Sequence, residues 1–592
     1  MALGVVGAVA AVLAVLSWNE VSRVRDELAQ VRETLVSASQ DASALQSDQG
    51  RADLARRLGL AADAVQASRR RLVASPALSI LGSAPVLRTQ RTALLQLVDD
   101  AATGARAARD MVEGIDGVAD RSSIQGGRVP LDALATLRGE VRQAGSVLGG
   151  LNRGGSRLIA PLADARRQFD AVTVTGAERL GRAADLLGAS LRLFGAEGPR
   201  RYFLAFQNNA EMRDQGMVLS YGILRFTGGT FTLERTGSVG ELPLDRPAPT
   251  ALPPGTQEVF GPIAPTQTWQ SVNASADFAL TGRAIADMYN QATGDSVDGV
   301  LALDVPALAG LLRVVGPVSV EGLAEPITDA NLARVVLKDF YEGIQTEAQH
   351  RARRERLAEV VRAVLNRLAQ SNGDPVALGR ELGAAAGGGH LRLWSGHADE
   401  EQVFERHGLG GGPAAEQPDR TFHVAVENRT ATKLDYYMKV RVVQDVRLTE
   451  SGDARVRTTV TLQNTVPPDA SPSYALGPDA QMSRVGEYRA WLLLWGPAGA
   501  QQPGAVEESG LQLSQHVVFV NPGETKDLTF VETVIPKAVR DGELRLRLVP
   551  QARLEPIALE VNVAADGWEI EGDHSWSGPW DGVRTLAWKV ER

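Results

Sequence analysis

The spacing of apolar residues changes at Gly198-Pro199, and this change divides the chain into parts that must fold differently. Before this point apolar residues recur every three or four positions, which places them along one face of a helix. After it, short apolar runs and alternating runs follow one another, which is typical of strands. The chain of 592 residues is too long for one core, so several domains of different class are expected.

The first part is predicted to be a long antiparallel helical bundle over residues 19–197. Three series of apolar residues keep the three-and-four spacing: Val21, Val24, Leu28, Val31, Leu35, Ala38, Ala42 and Leu45; Leu54, Leu58, Ala61, Val65, Ser68 and Leu72; Leu134, Leu137, Val141, Ala144, Leu148 and Leu151. Pro76 and Pro85 separate helices from one another. We expect a stalk or spacer; the alternative is a coiled coil that binds a protein partner.

Residues 1–18 are predicted to anchor the chain in a membrane. Met1–Leu16 contains no charged residue, and Trp18 stands where an interfacial aromatic residue would lie. No basic residue precedes the run, so a secretory signal is poorly supported. The prediction is a single-pass anchor in the cell membrane, with the bulk of the protein outside the cytoplasm. The alternative is an apolar helix start packed in the bundle.

Composition excludes several classes of function. The net charge is −9 without a basic stripe, so no nucleic-acid partner is expected. The chain has no cysteine, which excludes disulfides, thiolate metal sites and cysteine nucleophiles. Its 7 histidines are scattered without a paired motif, which argues against a histidine metal site.

Residues 198–412 are predicted to form an α/β domain. Tyr202–Phe206 is a central strand, and Gly228-Gly229 joins two alternating runs as a hairpin turn. The run Asp298–Asp304 is a buried strand, and Asp304 caps the helix that follows. Residues 317–322 (PVSVEG) then resume as a strand, so strand, helix and strand predict a parallel pair with a right-handed crossover.

Residues 420–592 are predicted to form a β-sandwich domain. Alternating strands such as Met438–Leu448 follow one another at short intervals, with Gly, Pro, Asn and Asp in the turns. Trp576, Trp580 and Trp588 are expected to fill the core, although tryptophans at a sandwich rim also bind sugars. The fold class is therefore multidomain: α, then α/β, then β.

A polar stretch, Gln207–Asp214, follows the predicted central strand directly. In α/β sheets ligands bind beyond the carboxyl ends of strands, so these side chains are candidates for one wall of a groove. The alternative is a turn at Asn208-Asn209 with a surface ion pair between Glu211 and Arg213, which would contribute little stability.

A second candidate lies in the helix that follows Thr346. Thr346 and Gln349 form a capping-box pattern, and the apolar stripe through Val361 and Val364 leads back to Arg353 and Arg354. Positive charge in the first turns opposes the helix dipole, and a bound phosphate would resolve the conflict. Arg351 and Arg356 extend the cluster. The alternative is a solvated basic face neutralised by neighbouring glutamates.

Three stretches resemble a bacterial family known as domain of unknown function 4012: Pro76–Ala101, Tyr202–Leu233 with its motif QNNAEMR, and Val297–Gly322 with its motif VDGVLALD. Members of that family typically have a membrane anchor, a helical region, a core like the second stretch and a C-terminal β domain. The resemblance implies an organisation but no activity.

A more distant resemblance links the central domain to the LytR-CpsA-Psr phosphotransferases, which move glycans from polyprenyl pyrophosphate carriers onto the cell wall. The matching segments are MRDQGMV, VNASA, Val297–Val320 and the R-x-x-R pair of Arg353 and Arg356. The resemblance implies a catalytic set of Arg213, Asp214, Arg353 and Arg356. Further ligand-binding candidates are Asn208, Asn209, Glu211, Asn273, Arg351 and Arg354.

The chain also departs from the phosphotransferase pattern. Pro243-Leu244-Asp245 lacks an arginine, Leu357 replaces a glutamine, and the Asn208-Asn209 pair replaces an aspartate of the magnesium site. Mg²⁺, held by Asp214 or Glu211, is implied by the resemblance alone. These losses weaken phosphate and metal binding, so the fold relationship can hold without catalysis.

Two functions follow from these observations. The first is a membrane-anchored envelope protein that binds, and in the stronger form transfers, a polyprenyl-phosphate-linked glycan or cell-wall polymer. The second is a non-catalytic envelope scaffold or adhesion protein, whose bundle or sandwich contacts protein partners. Convergence of Arg213, Arg353 and Arg356 on one cavity would favour the first.

Deletion of residues 1–18 is expected to release the protein from the membrane in folded form, because the segment would contact lipid and not the core. Membrane fractionation followed by sedimentation of the soluble fraction measures this. Aggregation of the truncated chain would instead mean that the segment packs inside the protein.

Overall fold

A computed structural model of the chain describes Glu33 and residues 47–76, 85–119, 128–154, 158–344, 346–370, 375–480, 482–529 and 532–592. The described chain divides into two compact units, a helical one that ends at Leu193 and one made mainly of Phe194–Arg592. The proposed anchor, residues 1–18, lies outside the described residues. Of the helices that are described, none is both long and apolar enough to cross a membrane.

The helical unit contains four described helices: α1 (Asp48–Ala74), α2 (Pro85–Ala119), α3 (Leu131–Gly149) and α4 (Ala160–Leu193). Helix α1 packs on α2, and α3 packs on α4. The predicted stripes are buried at Leu54, Leu58 and Val65 in α1 and at Val141 and Leu148 in α3. The helical prediction is confirmed for this region, whereas the seam between Val21 and Leu45 lies outside the described residues.

The central domain is built on a mixed five-stranded sheet with the order β3-β2-β1-β4-β5. The strands are β1 (Arg200–Met212), β2 (Gly216–Thr227), β3 (Thr230–Ser238), β4 (Gly299–Leu303) and β5 (Leu391–Ser395). Its helices are α5 (Pro254–Phe260), α6 (Phe278–Thr293), α7 (Val305–Val315), α8 (Leu332–Leu337), α9 (Glu347–Gln370), α10 (Pro375–Gly387) and α11 (Ala398–Arg406). Strand β1 is central, as its apolar sequence predicts.

Consecutive residues of β1 point to opposite faces of the sheet, and both faces are buried. Phe203 and Ala205 pack in a core with residues of α6. Leu204 and Phe206 pack in a second core with residues of α7, α8 and α9. The continuous apolar run Tyr202–Phe206 is therefore explained by a strand covered by helices on both faces.

Two local predictions in this domain are confirmed and one is wrong. Gly228 and Gly229 form the hairpin turn with φ of 55° and 84°, and Asp304 Oδ1 caps α7 by accepting from Ala307 N at 3.0 Å. Residues 317–322 are not a strand; Val318 makes one isolated bridge to Ile327. Strand β4 pairs with β1 on one edge and β5 on the other, which leaves no edge for that segment.

The C-terminal part is a sandwich of two sheets around one apolar core. One sheet has the order β10-β11-β9-β6-β15-β19-β17 with β14 beside β15, and the other has the order β12-β8-β7-β16-β18 with β13 beside β8. Trp580 and Trp588 are buried in this core, as predicted, and Trp576 packs against it. The strands are β6 (Thr421–Asn428), β7 (Met438–Leu448), β8 (Ala454–Asn464), β9 (Tyr488–Gly496), β10 (Val506–Glu508), β11 (Leu511–Val520), β12 (Thr525–Thr529), β13 (Thr533–Ile535), β14 (Val539–Arg540), β15 (Glu543–Val549), β16 (Ile557–Ala565), β17 (Glu569–Glu571), β18 (Ser575–Trp580) and β19 (Arg584–Glu591).

The sandwich packs directly on the α/β domain. An apolar cluster joins Phe260 and Ala274 of the α/β domain to Ala425 and Trp495 of the sandwich. Beside it lies the buried carboxylate of Glu508. That carboxylate accepts hydrogen bonds from Thr256 Oγ1 at 2.9 Å, Ser275 Oγ at 2.7 Å, Trp495 Nε1 at 2.8 Å and Ser509 Oγ at 2.9 Å. Glu508 therefore ties hydroxyl groups of both domains together.

Replacing Glu508 with Ala is expected to lower the free energy of unfolding by about 3 kcal/mol or more, because three buried donors and the half-buried Ser509 hydroxyl lose a charged acceptor. Denaturant unfolding of the full chain measures this. Glu507→Ala is the matched control, since its side chain is exposed and the change should stay within about 0.5 kcal/mol. Equal losses in the two variants would show that Glu508 does not hold the domains together.

A cationic cavity between the α/β domain and the β-sandwich

The polar stretch Gln207–Met212 is the last part of strand β1 and not a turn that follows it. Pairing of β1 with β4 ends at Phe206 and Leu303, but pairing with β2 continues, with register shifts, to Met212. The strands approach so closely there that a Cβ at Gly216 would lie 2.8 Å from the carbonyl carbon of Asn208. The prediction that these residues lie past the end of the strand is therefore wrong, because β1 continues through them, paired with β2.

This β1 extension, Gln207–Met212, is fully buried, and its polar groups find partners across the chain. Asn208 Nδ2 donates to the Tyr341 hydroxyl at 2.8 Å. Asn209 Nδ2 donates to Asp304 Oδ2 at 2.9 Å. The Met212 amide donates to Asp435 Oδ2 of the sandwich at 3.0 Å. The alternative interpretation, a turn with a surface ion pair between Glu211 and Arg213, is contradicted.

Glu211 instead forms a buried ion pair with Lys433 of the sandwich. Both side chains are less than a tenth exposed. Burial lowers the pKa of Lys433, but the Glu211 carboxylate together with Tyr341 and Tyr474 leaves the pKa above its ordinary value. The pair fixes the end of β1 against the sandwich.

Arg213 follows the extension and is 7% exposed. Its Nη1 donates to the carbonyl oxygen of Asn428, and its own carbonyl oxygen accepts from Gln551 Nε2 at 2.7 Å. No group in the described part of the chain accepts a hydrogen bond from its Nε. These contacts with the backbone hold the Arg213 guanidinium in place, and its buried Nε remains without an acceptor among the described residues.

Glu427 is a second buried group near Arg213 that the sequence analysis missed. Neither of its carboxyl oxygens has a hydrogen-bond partner among the described residues. Burial raises the pKa of Glu427 well above its ordinary value, although the Arg213 guanidinium acts in the opposite direction. Burial thus acts against ionisation of Glu427, and no described side chain hydrogen-bonds to its carboxyl group.

Asp214 points away from Arg213 and contacts His423 of the sandwich. Its Oδ1 lies 2.6 Å from His423 Nε2, and His423 Nδ1 lies 2.9 Å from the carbonyl oxygen of Val549. A carbonyl oxygen only accepts, so Nδ1 carries a hydrogen atom. A further proton must lie between Nε2 and the carboxylate, which makes this contact a buried, proton-sharing pair.

Helix α9 brings two of its predicted arginines to the same place. The capping box is confirmed, because Gln349 N donates to Thr346 Oγ1 at 3.3 Å and Thr346 N donates to Gln349 Oε1 at 2.9 Å. Arg353 and Arg354 are half-buried, whereas Arg356 is exposed. Arg351 lies in α9, but its side chain lies outside the described part of the structure.

These residues surround a cavity of about 550 Å³, which we call the cationic cavity. Its lining includes five cationic side chains, of Arg213, Arg353, Arg354, Arg429 and Lys433, and two carboxylates, of Glu211 and Asp479. The α/β domain and the sandwich both contribute. The expected convergence is found for Arg213 and Arg353 but not for Arg356, because Arg356 projects from the exposed side of α9.

Two stacked tyrosines form one side of the cationic cavity. The rings of Tyr341 and Tyr474 are 5.9 Å apart and nearly parallel. The Arg353 guanidinium lies 4.5 Å from the centre of the Tyr341 ring, and Lys433 Nζ lies 4.8 Å from it. In the described residues no acceptor bonds to Arg353 Nε, which is buried. Cation–π contacts thus orient Arg353 without using all of its donors.

The remaining predicted residues support the cavity and do not line it. Asn208 donates a hydrogen bond to Tyr341 and Asn209 donates one to Asp304, as described above. Asn273 Nδ2 donates to the carbonyl oxygen of Gly216 at 2.8 Å, and the backbone carbonyl oxygen of Asn273 accepts from Asp214 N at 3.2 Å. Asn273 therefore fixes the turn that carries Arg213.

The sandwich supplies charged and aromatic lining residues that the sequence pattern did not indicate: Arg429, Lys433, Tyr474 and Asp479. They lie in loops of a domain whose alternating strands gave no reason to expect a site. One pattern was available, since Lys433 stands between the apolar strands β6 and β7 in a polar loop. A lysine in a loop is usually solvated, however, and only the packing against Glu211 and Tyr341 buries this one.

The side chains proposed to hold Mg²⁺ do not fit that role. Glu211 is paired with Lys433, and Asp214 shares a proton with His423. Each carboxylate is thus already engaged by a buried side chain, Lys433 for Glu211 and His423 for Asp214. Among the described residues, no group of three or more His, Cys, Asp or Glu side chains is placed to hold a metal ion.

Replacing Lys433 with Met is expected to lower the free energy of unfolding by about 3–5 kcal/mol, because Glu211 is left buried without a counter-charge. The double variant Glu211→Gln, Lys433→Met should recover most of that loss. Urea unfolding of the three proteins gives the comparison. If the double variant is as unstable as Lys433→Met, the loss comes from packing and not from the ion pair.

Comparison with known proteins supports part of the resemblance. No curated protein was found that matches the chain. A crystal structure from Legionella pneumophila, provisionally described as a nutrient binding protein, is 14% identical with a TM-score of 0.16, covering 29% of this chain and 70% of that one; such a score carries no argument. Residues 197–341 match the family model described as "Protein of unknown function (DUF4012)", so the central segment is similar to that family.

Proposed function

We propose that the chain binds a phosphorylated ligand of the bacterial cell envelope, of the polyprenyl-phosphate-linked glycan class, in the cationic cavity. The observation behind the proposal is that Arg213 and Arg353 line the same cavity. Each has a buried Nε from which no described residue accepts a hydrogen bond. A buried donor without an acceptor is costly, and a phosphate oxygen would satisfy both.

The charge and shape of the lining support the same ligand class. Burial and the nearby Arg213 lower the pKa of Arg429, so the cations lie close enough to repel one another. An anion relieves that repulsion. The Tyr341–Tyr474 stack offers a flat surface of the kind on which sugar rings pack. Apolar lining residues offer contacts for the first isoprene units: Met217, Leu219, Val239, Ile263 and Leu357.

Binding is the proposed function, and glycan transfer is not part of it. A transferase of the implied type would need its carboxylates free to hold a metal ion or to accept a proton. Glu211 and Asp214 are each engaged by a buried partner, as described above. We therefore propose the ligand binding and the distant fold relationship that the resemblance to the LytR-CpsA-Psr phosphotransferases implies. We do not propose the catalysis that it implies.

The proposal places the protein at the outer face of the cell membrane, held by residues 1–18. The scaffold alternative remains the outcome expected if the cavity binds no phosphate ester.

Replacing Arg353 with Met is expected to weaken binding of farnesyl phosphate by about tenfold or more, because a charged hydrogen bond contributes on the order of 1.5–3 kcal/mol. Isothermal titration calorimetry of the detergent-solubilised full chain measures the affinity. Farnesol and inorganic phosphate serve as separate ligands, and they distinguish recognition of the chain from recognition of the phosphate.

Arg356→Met is the matched control, because Arg356 lies three residues along the same helix on its exposed side. Its affinity should equal that of the unaltered protein. Arg353→Lys retains the positive charge and is expected to bind with intermediate affinity. Equal affinity in Arg353→Met and Arg356→Met, or no binding of farnesyl phosphate by the unaltered chain, would overturn the proposed function in favour of a scaffold.

A further inference from the structure

Another cavity, of about 350 Å³, is lined by residues of both the α/β domain and the sandwich. It shares no lining residue with the cationic cavity. We call it the glycine cavity, because five glycines line it: Gly387, Gly389, Gly408, Gly410 and Gly412. The charged and ionisable side chains in its lining are those of Arg392, Arg406, Arg547, His407, Glu405 and Glu416.

Two of those side chains are arginines from different domains. Arg392 belongs to strand β5 of the α/β domain, and Arg547 belongs to strand β15 of the sandwich. Burial lowers the pKa of Arg392 and so does the neighbouring Arg547, although the Asp214 carboxylate raises it. Burial also lowers the pKa of Arg547. The two guanidiniums are thus close enough to repel one another; Arg547 is buried, and Arg392 is half-buried with a buried Nε.

Neither arginine is fully compensated within the described protein. Arg392 Nη1 donates to the carbonyl oxygen of Gly408 at 2.9 Å, but its buried Nε finds no acceptor there. Arg547 is 7% exposed, and its Nη1 donates to the carbonyl oxygen of Pro413 at 2.8 Å. Glu416, which is half-exposed, forms a long ion pair with Arg547 Nη2 at 3.7 Å, and the Asp214 carboxylate acts on Arg392, so each arginine has one partial counter-charge.

The glycines allow this arrangement. Gly389 and Gly408 have φ of 79° and 67°, a conformation that side chains disfavour. A Cβ at Gly389 would lie 3.3 Å from Arg392 Nη2, and one at Gly410 would lie 2.8 Å from the carbonyl oxygen of Leu393. Larger residues would thus crowd Arg392 and close the space beside it.

We propose that the glycine cavity binds a small oxyanion, a carboxylate or a phosphate, between Arg392 and Arg547. The oxyanion would neutralise the repulsion between the two cations and supply an acceptor for Arg392 Nε. Because the arginines come from different domains, the anion acts as a removable clamp between the sandwich and the α/β domain. This site is independent of the function proposed for the cationic cavity.

The test uses the full chain in Tris-chloride buffer, with inorganic phosphate and acetate as separate probes. Equilibrium dialysis measures binding, and thermal unfolding measures the shift in Tm. We expect one of the two anions to bind at a single additional site and to raise Tm. Arg547→Met should weaken this binding by about tenfold or more, and should abolish the Tm shift.

Three variants separate the explanations. Arg545→Met lies two residues away on β15 and outside the cavity, so it should bind as the unaltered chain does. Arg547→Lys retains the charge, should fold, and should bind with intermediate affinity, which guards against a folding defect. Arg353→Met should leave the clamp intact, because Arg353 lines the other cavity. Unchanged anion affinity in Arg547→Met and Arg547→Lys would overturn the proposal, as would absence of binding of both anions to the unaltered chain.

Discussion

The packing of the β1 extension against the β-sandwich is the contact on which the rest of the second unit depends. The strand loses its pairing with β4 after Phe206 but stays paired with β2 to Met212, and polar groups of this extension are satisfied by the sandwich. Asp435 illustrates this, since it accepts from the Met212 amide, Tyr488 and Arg553 at 2.7–3.0 Å. Without the sandwich, this strand end would be an unsatisfied polar edge, so neither domain is complete alone.

The charges at this interface fall into two groups that have different consequences. Lys433 with Glu211 and His423 with Asp214 are buried pairs whose members come from both sides, and Arg553 with Asp435 is a buried pair within the sandwich that contacts the end of β1. Such pairs align the domains more than they stabilise them, because desolvation offsets much of the attraction. Arg213, Arg353, Arg392 and Arg547 are buried to differing degrees without full compensation, and they mark the two cavities.

The sequence predicted those features that depend on local periodicity and capping. The helical region, the central strand at Tyr202–Phe206, the Gly228-Gly229 turn and the caps at Asp304 and Thr346 each follow from residues close together in the chain. The segment 317–322 has the pattern of a strand, yet both sides of β4, its expected partner, are already paired with β1 and β5. Arg353 was identified because its charge conflicted with an apolar stripe, whereas Lys433 and Tyr474 were missed because only long-range packing buries them.

The cationic cavity is assembled from segments that are distant in the chain, and this affects how such proteins can diverge. The match to a known family covers residues 197–341, which includes Arg213 and Tyr341. Arg353, Arg429 and Lys433 lie beyond it. Relatives can therefore retain a recognisable central segment while substitutions in α9 and the sandwich loops alter the other half of the lining. Similarity confined to the central segment would then be a poor guide to ligand identity, and chains grouped together by it could differ in what they bind.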